Sequence, residues 1–252
     1  MIVLRFLRTV LGWIVVLLLT MFCAAVISFS AESEFSEKVL RFWSWIFLRV
    51  AGGRVTSVKD PAIEPHKSYV YVSNHTSNLD VPAILSTAGV PLRFIAKKEL
   101  QKIPLFGFAA RRMGHVFIDR KDSRSAALAI RERIDQGLEG VGLFFFAEGT
   151  RSTTEALLPF KKGAAIAAIE TGLDCVPIAV AGARDVVKPK GFSLFKPGPV
   201  AVVYGKPVPV AGHSIDERDA LVAEQRAAVE QALEEAKGLL RDGRESLQPT
   251  PR

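Results

Sequence analysis

Cysteine is nearly missing from this 252-residue chain, with only Cys23 and Cys175 present. Two such distant thiols rule out a disulfide scaffold and offer no metal-ligand spacing, so a domain in a reducing, cytoplasm-facing compartment is the simpler expectation. G-x-G-x-x-G, the P-loop, G-x-S-x-G and H-E-x-x-H are absent too. Nucleotide, nucleophile-elbow and zinc chemistry lose support, and no cofactor or metal is expected. The chain has no internal repeat. Charge is missing from one long stretch: between Thr9 and Ala31 there is no Asp, Glu, Lys or Arg.

That stretch is long enough for a helix of about 30 Å, the thickness of a bilayer core. Three readings compete: a spanning helix, a cleaved signal peptide, and an anchor that dips into one leaflet and returns. Arg5 and Arg8 before the apolar run, and small residues such as Ala24, Ala25 and Ser28 after it, suit a leader. Beyond Glu32, Glu34 and Glu37, however, comes a second apolar and aromatic stretch, Val39 to Arg49, with two tryptophans. It is too short to span and suited to an interface, so two consecutive membrane-seeking helices favour an anchor. Arg5 and Arg8 favour the cytoplasmic side, and a substrate met there requires the pair to return to it.

The formal net charge of +7 is concentrated in one region. Pro91 to Arg133 holds eleven Lys or Arg against four acids, an excess equal to the whole net charge. Basic stretches are usually solvated faces, and nucleic acid is a legitimate alternative partner. Interleaving with Leu92, Phe94, Leu100, Ile103, Leu105, Phe106 and Phe108, next to a membrane segment, favours anionic lipid, so no nucleic-acid partner is expected.

After about residue 66, short β-branched or aromatic runs alternate with helical stretches. Strands are expected over 69–73, 93–96, 115–118, 142–146, 175–181 and 200–204, and helices over 80–87, 123–138, 162–171 and 216–241. This alternation predicts an α/β fold: a single domain with a mostly parallel or mixed central sheet flanked by helices, preceded by an N-terminal two-helix membrane motif. The corresponding boundaries are 1–60 for the anchor, 61–245 for the domain and 246–252 for a frayed tail.

In an open α/β sheet, ligands bind beyond the carboxyl ends of the strands, so residues that follow several strands are read together. His75 and Asp80 follow the first; Arg120 ends the third; Glu148, Gly149, Thr150 and Arg151 lie just past the fourth. An imidazole can take a proton from a hydroxyl when its other nitrogen is held by an acceptor, and Asp80 is placed to be that acceptor. The plainer reading is that Ser77-x-x-Asp80 is a capping box, and the two readings are compatible. Guanidinium groups match phosphate through paired charge-assisted hydrogen bonds, and Gly149 lets the loop turn tightly between Glu148 and Arg151. Taken singly, that Arg and Glu read as a surface ion pair; their coincidence with the other groups at strand ends argues for a site.

Asn74-His75-x4-Asp80, Gly114-x-x-Phe117-Ile118-Asp119-Arg120, Phe146-x-Glu148-Gly149-Thr150-Arg151-Ser152 and Val176-Pro177-Ile178 resemble, in order, the four motif blocks of the glycerolipid acyltransferase family. The resemblance covers residues from about 70 to 205. One departure is Ala147, where the third block commonly carries proline; proline would only stiffen the loop. The resemblance implies an acyltransferase that moves a fatty acyl group from an acyl thioester, on acyl-carrier protein or coenzyme A, to the 2-hydroxyl of lysophosphatidate, giving phosphatidate. It implies His75 as the base and Asp80 as its orienter. Arg120 and Arg151 would hold the acceptor phosphate, with Glu148, Gly149 and Thr150 around the glycerol portion. It also implies a two-helix membrane motif ahead of the domain, which agrees with the anchor read above, and the expected location is the cytoplasmic face of the inner membrane. Backbone N–H groups of Ser77 to Leu79 are candidate oxyanion donors. Neither Ser77 nor Cys175 has a persuasive separate base, so no acyl-enzyme is expected. Competing readings are another lysolipid acceptor, a secreted hydrolase, and a non-catalytic peripheral protein that binds anionic lipid.

Overall fold

The computed structural model describes residues 2–119, 122–138, 140–154, 156–189 and 194–245. The expected tail, 246–252, lies outside them. Two helices open the chain, α1 (Ile2–Ser30) and α2 (Glu34–Ala51). Ser33 starts α2 by accepting the N–H of Ser36, and Gly52, at φ +83°, ends it by donating to the carbonyls of Leu48 and Arg49. A side chain at Gly52 would strain the left-handed backbone and strike Pro197.

The remaining chain alternates strand and helix: β1 (Gly53–Lys59), β2 (Val70–Ser73), α3 (Asp80–Thr87), β3 (Leu92–Lys97), α4 (Phe106–Arg112), β4 (Val116–Ile118) and α5 (Ser123–Asp135). Then come β5 (Gly142–Phe146), α6 (Gly163–Thr171), β6 (Cys175–Ala181), α7 (Ala183–Val186), β7 (Gly198–Tyr204) and α8 (Arg218–Glu245). The strands form one sheet in the order β1-β7-β6-β2-β5-β3-β4. Only the β6–β7 pair is antiparallel, so the sheet is mixed. β2, buried along its whole length, is the central strand between β5 and β6. A continuous apolar run with no polar face is what a strand covered on both sides requires.

Alternation along the strands divides the core. Tyr69, Tyr71, Phe144 and Ile178 face α1, α2 and α3, whereas Val70, Val72, Leu143 and Phe145 face α6 and α8. The first layer includes Val16 of α1 and Phe47, Leu48 and Ala51 of α2, so the N-terminal helices cover one face of the sheet. β1 pairs in register with β7 from Gly53 to Lys59. The sheet therefore takes in residues that a boundary at 60 assigns to the anchor. This strand has one neighbour and a mostly exposed face, so its sequence lacks the buried pattern that marks the others.

α1 is long and apolar enough to cross a membrane, yet both of its ends are tied to the domain. At its start, Arg5 donates to the Phe195 carbonyl (3.1 Å), the Phe195 N–H donates to Thr9 (3.0 Å), and Trp13 packs on the Phe195 ring. At its end, Ala24 and Ile27 pack on Ala109 of α4 and on Met113 just after it. The turn into α2 is held by charge. Glu32 accepts from Arg93 (3.2 Å) and Arg133 (3.1 Å), and Glu37 accepts from Arg93 (2.7 Å). Arg93 is 3% exposed and Glu37 10%, so that pair forms where water screens it little, whereas Glu32, at 39%, meets its two arginines at the surface. The outer face of α1, including Leu7, Leu11, Leu18 and Phe22, remains exposed.

Candidate active site

β2 ends at Ser73, and the loop after it is fastened on both sides. The Asn74 amide bridges to β6 by accepting the Val180 N–H (2.9 Å) and donating to the Val180 carbonyl (3.0 Å). The Ser152 N–H donates to the His75 carbonyl (2.7 Å) from the loop after β5. Within this frame His75 Nδ1 lies 2.8 Å from Asp80 Oδ2. With the carboxylate as acceptor, Nδ1–H donates and Nε2 carries the lone pair available to a substrate.

Asp80 is fully buried and opens α3. Its Oδ2 also accepts the backbone N–H of Thr76 (2.7 Å) and of Ser77 (2.8 Å). The capping geometry differs from the simple box read from Ser77-x-x-Asp80. Asp80 does reach back to the Ser77 N–H, but Ser77 Oγ accepts from Leu79 (3.0 Å) and donates to the Val187 carbonyl (2.7 Å). One carboxylate thus shapes the loop and holds the imidazole. The same bonds occupy the N–H groups of Ser77 and Leu79, which removes both from the expected oxyanion donors.

Glu148, expected at the substrate's glycerol, is 3% exposed and spends both oxygens on the backbone: Oε1 on the His75 N–H (2.7 Å) and Oε2 on the Leu158 N–H (3.0 Å). Burial pushes its pKa up, against the pull of those two N–H groups. Its geometry is that of a positioning group for the histidine loop. Gly149 turns the chain at φ +70°, and Thr150 and Arg151 follow it to the rim. Arg151 Nη1 donates to Asn78 Oδ1 (2.6 Å), which sets the guanidinium beside the His75 loop. Arg120 lies outside the described residues.

His75, Asn78, Thr150 and Arg151 stand at a cavity of about 680 Å³. It continues between α1, α2 and α4, past Cys23, Trp43, Phe94 and Met113. A second histidine, unmarked in the sequence as a site residue, lines the same cavity. His115 Nδ1 accepts the Phe94 N–H (3.2 Å), and burial, then Arg93, then Arg133 push its pKa down to about 3. It stays neutral at physiological pH, a hydrogen-bonding wall group rather than a proton carrier. Among the described residues, no cluster of His, Cys, Asp and Glu is arranged to hold a metal.

A mixed sheet thus carries an imidazole–carboxylate pair beside a mostly apolar cavity. The chain belongs to the Acyltransferase family, whose model matches residues 54–181. It is 31% identical over 185 residues to the 1-acyl-sn-glycerol-3-phosphate acyltransferase of Salmonella typhimurium, covering 73% of this chain and 74% of that protein. It is 39% identical over 139 residues to a chloroplastic 1-acyl-sn-glycerol-3-phosphate acyltransferase of Brassica napus, covering 55% of this chain. The match spans only 40% of that chloroplastic relative's length. The fold superposes with a TM-score of 0.78 on the crystal structure of the 1-acyl-sn-glycerophosphate acyltransferase PlsC from Thermotoga maritima, at 27% identity, covering 93% of this chain and 97% of that one.

Proposed function

We propose that the protein transfers a fatty acyl group from an acyl thioester, carried on acyl-carrier protein or coenzyme A, to the sn-2 hydroxyl of lysophosphatidate, giving phosphatidate. The observation that carries this reading is the His75–Asp80 pair, 2.8 Å apart, at the mouth of a cavity that has Arg151 at its rim and an apolar interior. The acceptor's phosphate meets Arg151, with Arg120 following β4 as its partner in that role. The acceptor's chain enters the cavity.

His75 Nε2 takes the hydroxyl proton as the oxygen bonds to the thioester carbonyl carbon. Asp80 stabilises the imidazolium so formed. The carbon–sulfur bond then breaks, and the proton passes from His75 to the departing thiolate. Of the three expected oxyanion donors, Asn78 alone keeps an N–H outside the bonds that shape the loop. The phosphate-reading arginine favours lysophosphatidate over a lysolipid without phosphate. Non-catalytic lipid binding gives no reason for the oriented imidazole.

The two opening helices serve this chemistry as an anchor embedded from the cytoplasmic side of the inner membrane. A crossing helix would carry the Glu32 turn about 30 Å away from the domain. The ion pairs from Glu32 to Arg93 and Arg133 support a return to the same side. The exposed face of α1 then contacts acyl chains, and the cations of the 91–133 region other than the buried Arg93 and Arg133 meet anionic headgroups.

The test is incubation of purified protein with labelled lysophosphatidate and each thioester donor, followed by separation of the lipids. Phosphatidate from one or both donors is the expected product. Free fatty acid without phosphatidate would make the protein a thioester hydrolase.

A further inference from the structure

The loop that carries His75 is a wall between two cavities. His75 and Asn78 line the large one, while Asn74 and Thr76 line a second of about 270 Å³ on the opposite flank. The other walls of this second cavity are the end of β6 with the turn into α7, and the last turns of α8. Three cations, Arg184, Lys237 and Arg241, line it against one acid, Asp185. Lys237 also holds Glu234 (2.7 Å) on the outside of α8.

Arg184 supplies a second, separate observation. Its Nη2 donates to the Thr153 carbonyl (2.7 Å), two residues beyond Arg151, whereas its Nη1 is buried with no hydrogen-bond partner among the described residues. A buried guanidinium nitrogen without an acceptor is costly, and an anion in this pocket removes the cost. Nothing in the acyl-transfer site uses these three cations.

We propose that this basic pocket binds the phosphate of the donor's phosphopantetheine arm, so that donor and acceptor approach His75 from opposite flanks of its loop. The assignment rests on the acyl-transfer reading, in which the large cavity and Arg151 are filled by the acceptor. The thiol must depart in a direction the acceptor leaves open, and the second pocket provides one. Coenzyme A and acyl-carrier protein share the phosphopantetheine arm, and in both its phosphate is the anion nearest the thioester.

The test uses the full chain in detergent and the double variant Lys237→Glu/Arg241→Glu. These residues are half-buried and exposed, and the substitutions leave the α8 packing residues Leu233 and Ala236 in place. Calorimetry compares 4′-phosphopantetheine with pantetheine, which lacks the phosphate, and needs no turnover. The wild type binds the phosphorylated compound about tenfold tighter or more, and the variant loses the difference. In turnover, KM for acyl-coenzyme A and for acyl-carrier protein donors both rise about tenfold, while KM for lysophosphatidate changes less than about twofold. Equal binding of the two compounds by the wild type overturns the proposal. A rise confined to the lysophosphatidate KM overturns it by making the pocket the acceptor's, and a rise confined to coenzyme A overturns it by assigning the pocket to the nucleotide end. A wild type that prefers phosphopantetheine but transfers no acyl group upholds the pocket and overturns the acyl-transfer reading.

Discussion

The imidazole of His75 lies flat on the phenyl ring of Phe146, with centroids 3.8 Å apart and planes 14° from parallel. Asp80 fixes the ring from its edge and Phe146 from its face, so Nε2 is held in one direction before any substrate arrives. Phe146→Ala should let the ring tilt and lower kcat by about tenfold, with both KM values nearly unchanged. Initial rates at saturating substrate check this. A loss seen only in KM would make Phe146 a wall for substrate instead.

Glu148→Gln separates positioning from substrate contact. Glutamine keeps the shape but turns an NH2 toward one of the two backbone N–H groups, so the fold should lose about 1.5 to 3 kcal/mol, read from urea unfolding. The catalytic constant should fall with little change in acceptor KM. A large rise in acceptor KM at unchanged stability would return Glu148 to the glycerol.

The ion pairs around Arg93 should behave as a unit. Arg93→Met leaves Glu37 buried without its partner and should cost about 3 to 5 kcal/mol, whereas Arg93→Met/Glu37→Met should recover a large part of that loss. Denaturant midpoints in one detergent measure both. Equal destabilisation by the single and the double variant would show that packing, rather than charge, holds the helix pair to the domain.

The strands were legible wherever both faces are buried. The expected spans 142–146 and 175–181 coincide with β5 and β6, because a fully covered strand must be apolar throughout. β1 escaped because it is an exposed edge, and α4 because its seven residues are too few to show a helical period. The meeting of His75 with Asp80, and the place of Arg151 beside the same cavity, could be read from their positions after strands. The role of Glu148 could not, since a carboxylate that binds backbone N–H groups carries the same sequence signal as one that meets a ligand. His115 sits ahead of a strand rather than after one, and only the folded sheet brings it to the Phe94 N–H and the cavity.

If His75 Nε2 removes the acceptor's proton, the rate of phosphatidate formation by His75→Ala against the wild type reads that step. Both are tested at saturating lysophosphatidate and donor, in parallel with a check of folding. The kcat of His75→Ala should fall by about 10² to 10⁴ while unfolding and membrane binding stay nearly unchanged. Phosphatidate formed by His75→Ala at a near-normal rate would contradict it.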